Sequence, residues 1–538
     1  MRTVEKARPD AVRDIEGGTT TLGIEYGSTR IKAVLDDADD RPIAVGTFDW
    51  ENSFEGGYWT YPQEQLVAGI QAAYAALKDD VKARYGVTLR RLGALGVSAM
   101  MHGYLPFDVE GRLLVPFRTW RNTTTTAAAR ELTELLRFHV PERWSISHLY
   151  QAVLDGEEHV ARIASFTTLA GYAHRLLTGE SCLSVGDASG MFPIDSTTRD
   201  YDRAMLDLVD ARLAERGVSL RVEDLLPRVK VAGECAGHLT PEGARLLDPA
   251  GDLEPGCPLC PPEGDAGTGM IATNSVAPRT GNVSAGTSVF SMVVLERPLR
   301  DATSPLVDLV TTPVGDAVAM VHCNNCTSDI NAWVGLLMEF AELMGVPVDA
   351  PEAFSRLFGV ALAGDKDAGG LVSLPFVSGE TVMGVQTGRP LLVREQAARL
   401  SLANFMRMNV MSAFGALAAG NEALRAEGVR IDKLYAHGGI FKTPGVAQGI
   451  LAAALEAPVT VMDTAGEGGA WGQAVAASYM LNRGERETLA EFLSRRVFSG
   501  VGSSTVEPDA ADVEGFRSYL ARFKAANRAE LTLEGRQG

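Results

Sequence analysis

Apolar and polar residues alternate in three short runs near the start of the chain, Thr21–Tyr26, Arg30–Leu35 and Pro42–Trp50, and a period of two predicts strands. The segment DDADDR between the last two reads as a turn, so the three form an antiparallel meander. The period then lengthens. Leu66, Ile70, Tyr74 and Leu77 fall on one face of a helix over Gln63–Leu77, and the mostly apolar run Leu92–Ala99 predicts a buried strand.

The same opening returns at Gly281–Glu296, again strand, small polar turn, strand. Leu402, Phe405, Met406, Val410, Ala413, Phe414 and Leu417 make a helical stripe, and a strand follows at Lys433–His437 with a Gly438-Gly439 turn. A helix is expected with Thr443 as N-cap and Pro444 at its first position, then a strand over Pro458–Asp463. Phe516, Tyr519, Leu520 and Phe523 predict a final helix after Pro508. An internal duplication of one α/β fold accounts for the recurrence. The expected organisation is a polar lead-in over residues 1–18, a first domain over 19–277 and a second over 278–538, with a ligand cleft between the two.

Composition narrows the function classes. A chain of 538 residues with 46% hydrophobic and 22% charged residues is globular, and its length suits more than one core. A formal charge of −18 without a Lys/Arg cluster argues against nucleic acid or an anionic membrane as partner. The first residues are charged, and no apolar run reaches membrane-spanning length, so a cytoplasmic location is expected. Six cysteines include the pairs Cys257/Cys260 and Cys323/Cys326. Four thiolates could bind zinc, but both pairs sit in apolar strand-like runs where alternation sends the thiols to opposite faces, which favours a packing role.

Candidate chemistry lies in the turns. Gly27-Ser28-Thr29 and Gly286-Thr287-Ser288 occupy corresponding places in the two halves, and such turns expose backbone N–H groups and hydroxyls suited to phosphate oxygens. Glu25 stands just before the first turn as a carboxylate able to organise Mg²⁺. Neither GxxxxGK[ST] nor GxGxxG occurs at a strand–helix junction, so a Walker-type NTPase or a dinucleotide dehydrogenase is unsupported.

The ordered set TLGIEYGSTRIKAVL, GVSAMMHGYLPFDVEGRLLVPFRTWRN, LLTGESCLSVGDASGMFPID, EGDAGTG, SAGTSVFSMVV, SGETVMG and HGGIFKTPGVAQGILAAALEAPV with AWGQAVAA resembles the FGGY carbohydrate kinases, over roughly residues 20 to 525. The resemblance implies duplicated ribonuclease-H-like domains of the actin and hexokinase type, with ATP and a sugar between them. It implies Asp265 as general base, and Met101, His102, Trp120 and Asn122 at the sugar. It places Gly27, Ser28, Thr29, Gly286, Thr287 and Ser288 on phosphate, Gly438 and Gly439 on adenosine, and Glu25 on Mg²⁺ through water. D-xylulose is the leading acceptor and L-ribulose the next, with a homodimer as the family expectation. Asp187 reads as structural, and Lys32 as a solvated or pairing lysine. Three positions depart from the family pattern: Glu25 replaces Asp, Met100 replaces Gln, and Asn122 replaces an acidic residue. An ATP-binding regulator that has lost the chemistry, and a chaperone-like relative, are the competing readings.

Overall fold

The computed structural model describes residues 9–463 and 468–535. Two mixed sheets carry the molecule. The first runs β5-β4-β1-β2-β3, built from β1 (Thr21–Tyr26), β2 (Arg30–Asp36), β3 (Pro42–Asp49), β4 (Ala94–Ala99) and β5 (Glu263–Gly264). The second runs β8-β9-β7-β6-β10-β11-β12, from β6 (Thr280–Ala285), β7 (Val289–Val294), β8 (Asp308–Thr311), β9 (Ala317–Cys323), β10 (Lys433–His437), β11 (Val459–Met462) and β12 (Ser503–Val506).

The duplication is visible in the pairing. β1, β2 and β3 are antiparallel, and β4 joins β1 in parallel. β6, β7 and β9 repeat the meander, and β10 joins β6 in parallel. The second sheet adds β8 and β12 at its two edges.

Strand alternation sorts the helices. Leu22 and Ile24 of β1 share a core with Leu66, Ile70, Ala73 and Leu77 of α2 (Gln63–Tyr85). Gly23 and Glu25 point the other way, toward α6 (Gly468–Asn482), a helix that follows β11 of the second sheet and packs on the first. A Cβ on Gly23 would lie 2.0 Å from the Ala470 carbonyl oxygen, so only glycine permits the contact. α6 also packs against α3 (Asp265–Ala272), where a Cβ on Gly472 would come within 2.2 Å of the Thr268 carbonyl oxygen. The buried core containing Trp471 and Val475 takes in Met270 of the first half and Met292 and Val310 of the second. α4 (Leu402–Ala426) and α7 (Ala510–Leu533) pack on the second sheet, and Phe516, Tyr519, Leu520 and Phe523 are buried as their spacing predicts.

Several expectations are corrected. The lead-in is not merely polar: α1 (Pro9–Gly17) buries Ala11 and Ile15, which lie four apart on one helix face, while residues 1–8 fall outside the described residues. The helix expected from Thr443 begins instead at Val446, as α5 (Val446–Leu455), with Gly445 as its cap at φ +78°. Pro444 holds Thr443 extended, and the preceding Gly439–Lys442 forms a 3-10 turn. All six cysteines are free thiols. Cys257 and Cys260 do fall in different apolar clusters, but Cys323 and Cys326 share one, because β9 ends at Cys323 and the chain turns there. Burial raises the Cys257 and Cys326 thiols to about 12, which keeps them protonated. Among the described residues no helix is long and apolar enough to cross a membrane.

Candidate active site

Parallel pairing brings the first half's candidates to one edge. Tyr26 is level with Ala99, and Ala99 with Gly264, so β1, β4 and β5 end together. The residues that follow them are the Gly27 turn, Met100–Gly103 and Asp265. Ser284 is likewise level with His437, which sets the Gly286 turn beside Gly438. Gly438 has φ +129°, and a Cβ there would sit 1.9 Å from the Ala285 carbonyl oxygen. Only glycine fits so close to the second turn.

Asp265 opens α3. Its Oδ1 accepts the Met101 backbone N–H at 3.1 Å, which fixes the carboxyl against the Met-His segment. Solvent reaches Asp265, yet enough protein surrounds the carboxyl that desolvation raises its pKa above the usual value, against bonds from Met101 and the start of α3. Glu25 is pushed up to about 7, first by burial and then by the charge of Asp265; the Ala470 N–H and Lys32, opposite Glu25 in the β1–β2 register, pull it back. Glu25 Oε2 accepts from Ala470 N at 3.2 Å, so it meets the first turn of α6. A Cβ on Gly469 would strike Glu25 Oε1 at 2.3 Å. The added methylene of Glu over Asp is accommodated by a glycine.

The sugar-side candidates separate. Met101 packs against Gly264 and Gly190, where added Cβ atoms would meet its Cγ at 2.2 Å and its Cε at 3.0 Å. His102 has φ +69°, a conformation uncommon outside glycine, and its Nδ1 lies 3.2 Å from the Gly190 carbonyl oxygen. A carbonyl only accepts, so Nδ1 carries the proton and Nε2 is left as an acceptor. Burial, aided by Arg143, lowers the His102 pKa to about 3, which keeps the ring neutral. Trp120 is 39% exposed and so does not fill the core. Met100 packs in the apolar core with Leu105 and Phe117, which suits a methionine where the family has a polar residue.

Asn122 is a correction. It is buried, its Oδ1 accepts Trp59 N–H at 2.7 Å, and its Nδ2 donates to the carbonyls of Trp59 and Thr119, each at 2.9 Å. The amide holds a loop rather than facing a ligand. A carboxylate could not donate to those carbonyls, which explains the departure from an acidic residue.

Both small turns have their carbonyls taken from outside. Trp50 Nε1 donates to Gly27 O and Tyr61 Oη to Ser28 O, each at 2.7 Å, and the two rings stack at 4.0 Å. In the second turn Cys326 N donates to Thr287 O at 2.8 Å and Thr327 Oγ1 to Gly286 O at 2.7 Å. Gly286 and Thr287 are exposed, as are Gly438 and Gly439.

Beneath Asp265 lies a residue that sequence reading missed. Glu263 is 2% exposed, accepts from Ser184 Oγ and from Gly264 N at 2.8 Å, and occupies space that Cβ atoms on Gly186 and Gly267 would fill. Burial raises it to about 7. Asp187 beside it is fully buried and bonded by Thr168 Oγ1 at 2.6 Å, with its pKa well above normal through burial. The glycines of GDASG and GDAGTG, spaced around a lone buried glutamate, were the available signal.

Family comparison decides the class. The model of the N-terminal domain of the FGGY family of carbohydrate kinases matches residues 20–251, and that of the C-terminal domain residues 281–481. The chain belongs to the FGGY family of carbohydrate kinases. This sugar-phosphorylating kinase is 24% identical over 516 residues to the xylulose kinase of Haemophilus influenzae, covering 93% of this chain and 98% of that one. The xylulose kinase structure from Rhodospirillum rubrum aligns with a TM-score of 0.75 at 20% identity, covering 96% of the kinase and 99% of that chain. The Plasmodium falciparum glycerol kinase with ADP aligns at 0.72 and 13% identity, covering 95% and 98%. Such likeness shows the two-domain actin and hexokinase type of fold.

Proposed function

We propose that the protein transfers the γ-phosphate of ATP to the terminal hydroxyl of a ketopentose, D-xylulose foremost, using Asp265 as general base. The observation that carries this reading is the Asp265 carboxyl pinned by the Met101 N–H beside His102, at the sheet edge that also bears the first turn. An acceptor hydroxyl donating its proton to Asp265, with a neighbouring sugar hydroxyl donating to His102 Nε2, would be aligned for attack, and Met101 gives an apolar wall. A loose phosphoryl-transfer transition state asks little of base strength, so positioning supplies most of the effect.

The two turns are assigned to the nucleotide phosphates and Gly438-Gly439 to adenosine. Glu25 fits Mg²⁺: it is a hard oxygen donor whose pKa is raised first by burial and then by the charge of Asp265, and a cation would offset both. Among the described residues no cluster of three or more His, Cys, Asp or Glu side chains forms a protein cage. Bound there, Mg²⁺ would neutralise phosphate charge.

ADP release with Mg-ATP, measured over ketopentoses including L-ribulose, pentitols and hexuloses, tests the reading. One ketopentose is expected to drive release, and Asp265→Asn to lower kcat about a thousandfold while ATP still binds. Undiminished turnover by Asp265→Asn would remove the base assignment.

A further inference from the structure

Buried Glu380 has no place in the chemistry above, nor does the Cys323-Asn-Asn-Cys326 motif. They meet. Glu380 is fully buried, and its Oε1 accepts Asn324 N–H at 3.3 Å while its Oε2 accepts Asn325 N–H at 3.2 Å and Asn325 Nδ2 at 3.1 Å. Asn325 Oδ1 in turn accepts Ser378 N–H at 3.1 Å, and Asn324 Nδ2 donates to Gly379 O at 2.8 Å. The two cysteines, both buried, pin the ends of this loop in the second core. The next two groups along the chain, Cys326 N–H and Thr327, hold the carbonyls of Thr287 and Gly286.

We infer that Glu380 is a positioning residue for the nucleotide: through Asn324 and Asn325 it fixes the loop that occupies the carbonyls of Gly286 and Thr287, so that a phosphate reaching the exposed Thr287 does not meet their lone pairs, the Gly286 N–H being given to Ser288 O at 2.9 Å. This rests on the reading of the second turn as a phosphate site. The carboxylate suits the task because it only accepts, and the groups it meets from the loop are all donors. Gly379 belongs to the same device, since a Cβ there would meet the Gln386 carbonyl oxygen at 1.9 Å and displace the segment carrying Glu380.

Glu380→Gln keeps the volume but turns an amide NH₂ toward backbone donors. KM for ATP is expected to rise about tenfold, with KM for the sugar unchanged within about twofold. Thr327→Val, which removes only the hydroxyl on Gly286 O, is expected to raise KM for ATP about threefold at unchanged melting temperature, and it answers the question should Glu380→Gln fail to fold. Direct titration of ATP into wild type and both variants separates the possibilities. Wild type that binds no ATP overturns the phosphate reading and this inference together. Wild type that binds ATP, with variants that bind it equally well or lose ATP and sugar affinity alike, overturns the role of Glu380 alone.

Discussion

The two small turns come from the same repeated element and are held by different chemistry. In the first, two stacked aromatic rings reach over from Trp50 and Tyr61 and donate to the carbonyls of Gly27 and Ser28. In the second, a loop tied to a buried carboxylate donates to the carbonyls of Gly286 and Thr287. What the halves share is the outcome: carbonyl oxygens occupied, which on the proposed reading spares a polyanion their lone pairs. Duplication retained that requirement and left the means free to diverge.

The sharpest way to break the comparison is to remove the aromatic support. Trp50 is 3% exposed, and Trp50→Ala is expected to destabilise the fold by about 3–5 kcal/mol, read as a lowered denaturation midpoint. Trp50→Phe should retain most of that stability while weakening ATP binding, because it keeps a ring and loses the indole donor.

Acid should distinguish the turns next. Burial raises the Glu380 carboxyl above its usual value, so protonation that removes an acceptor sets in at a higher pH than for an exposed glutamate. As pH falls, KM for ATP of wild type is expected to converge on that of Glu380→Gln, which keeps only the change that Glu25 gives to both proteins. Fold stability carries the opposite sign: with a raised folded pKa, the contribution of Glu380 is fullest in acid and declines as pH rises through that value. The indole and phenol that hold the first turn stay neutral in acid and add no such limb of their own. The smallest effect is expected from Tyr61→Phe, which deletes one donor to Ser28 O and should raise KM for ATP about threefold by the same assay.

Much of this was legible in the chain. The period-two runs located β1, β2 and β3, and the repeat of strand, turn and strand announced the second sheet. Asp265 and the Met-His pair could be singled out because local motifs carry them, and the structure sets them side by side. The Gln63 helix ran eight residues beyond the expected Leu77, to Tyr85, since the buried Val81 extends its apolar face. Side-chain assignments that depend on distant partners were not legible. The resemblance put Asn122 at the sugar because its partner, Trp59, lies 63 residues away, and nothing local to Glu263 or Glu380 shows the backbone donors that the fold brings around them. Helix α6 was the largest surprise. Its apolar pattern says that it is buried and not against which sheet.

That placement has a consequence for biosynthesis. The first sheet is complete in sequence at Gly264, but the helix that covers the Gly23 face begins at Gly468, about two hundred residues later. At roughly 5–20 residues per second, the ribosome leaves that face uncovered for about 10–40 s. The nascent chain therefore matures out of order, its opening half waiting on residues near its end. Truncated products that stop before α6 should be the ones a cell must shelter with chaperones or destroy.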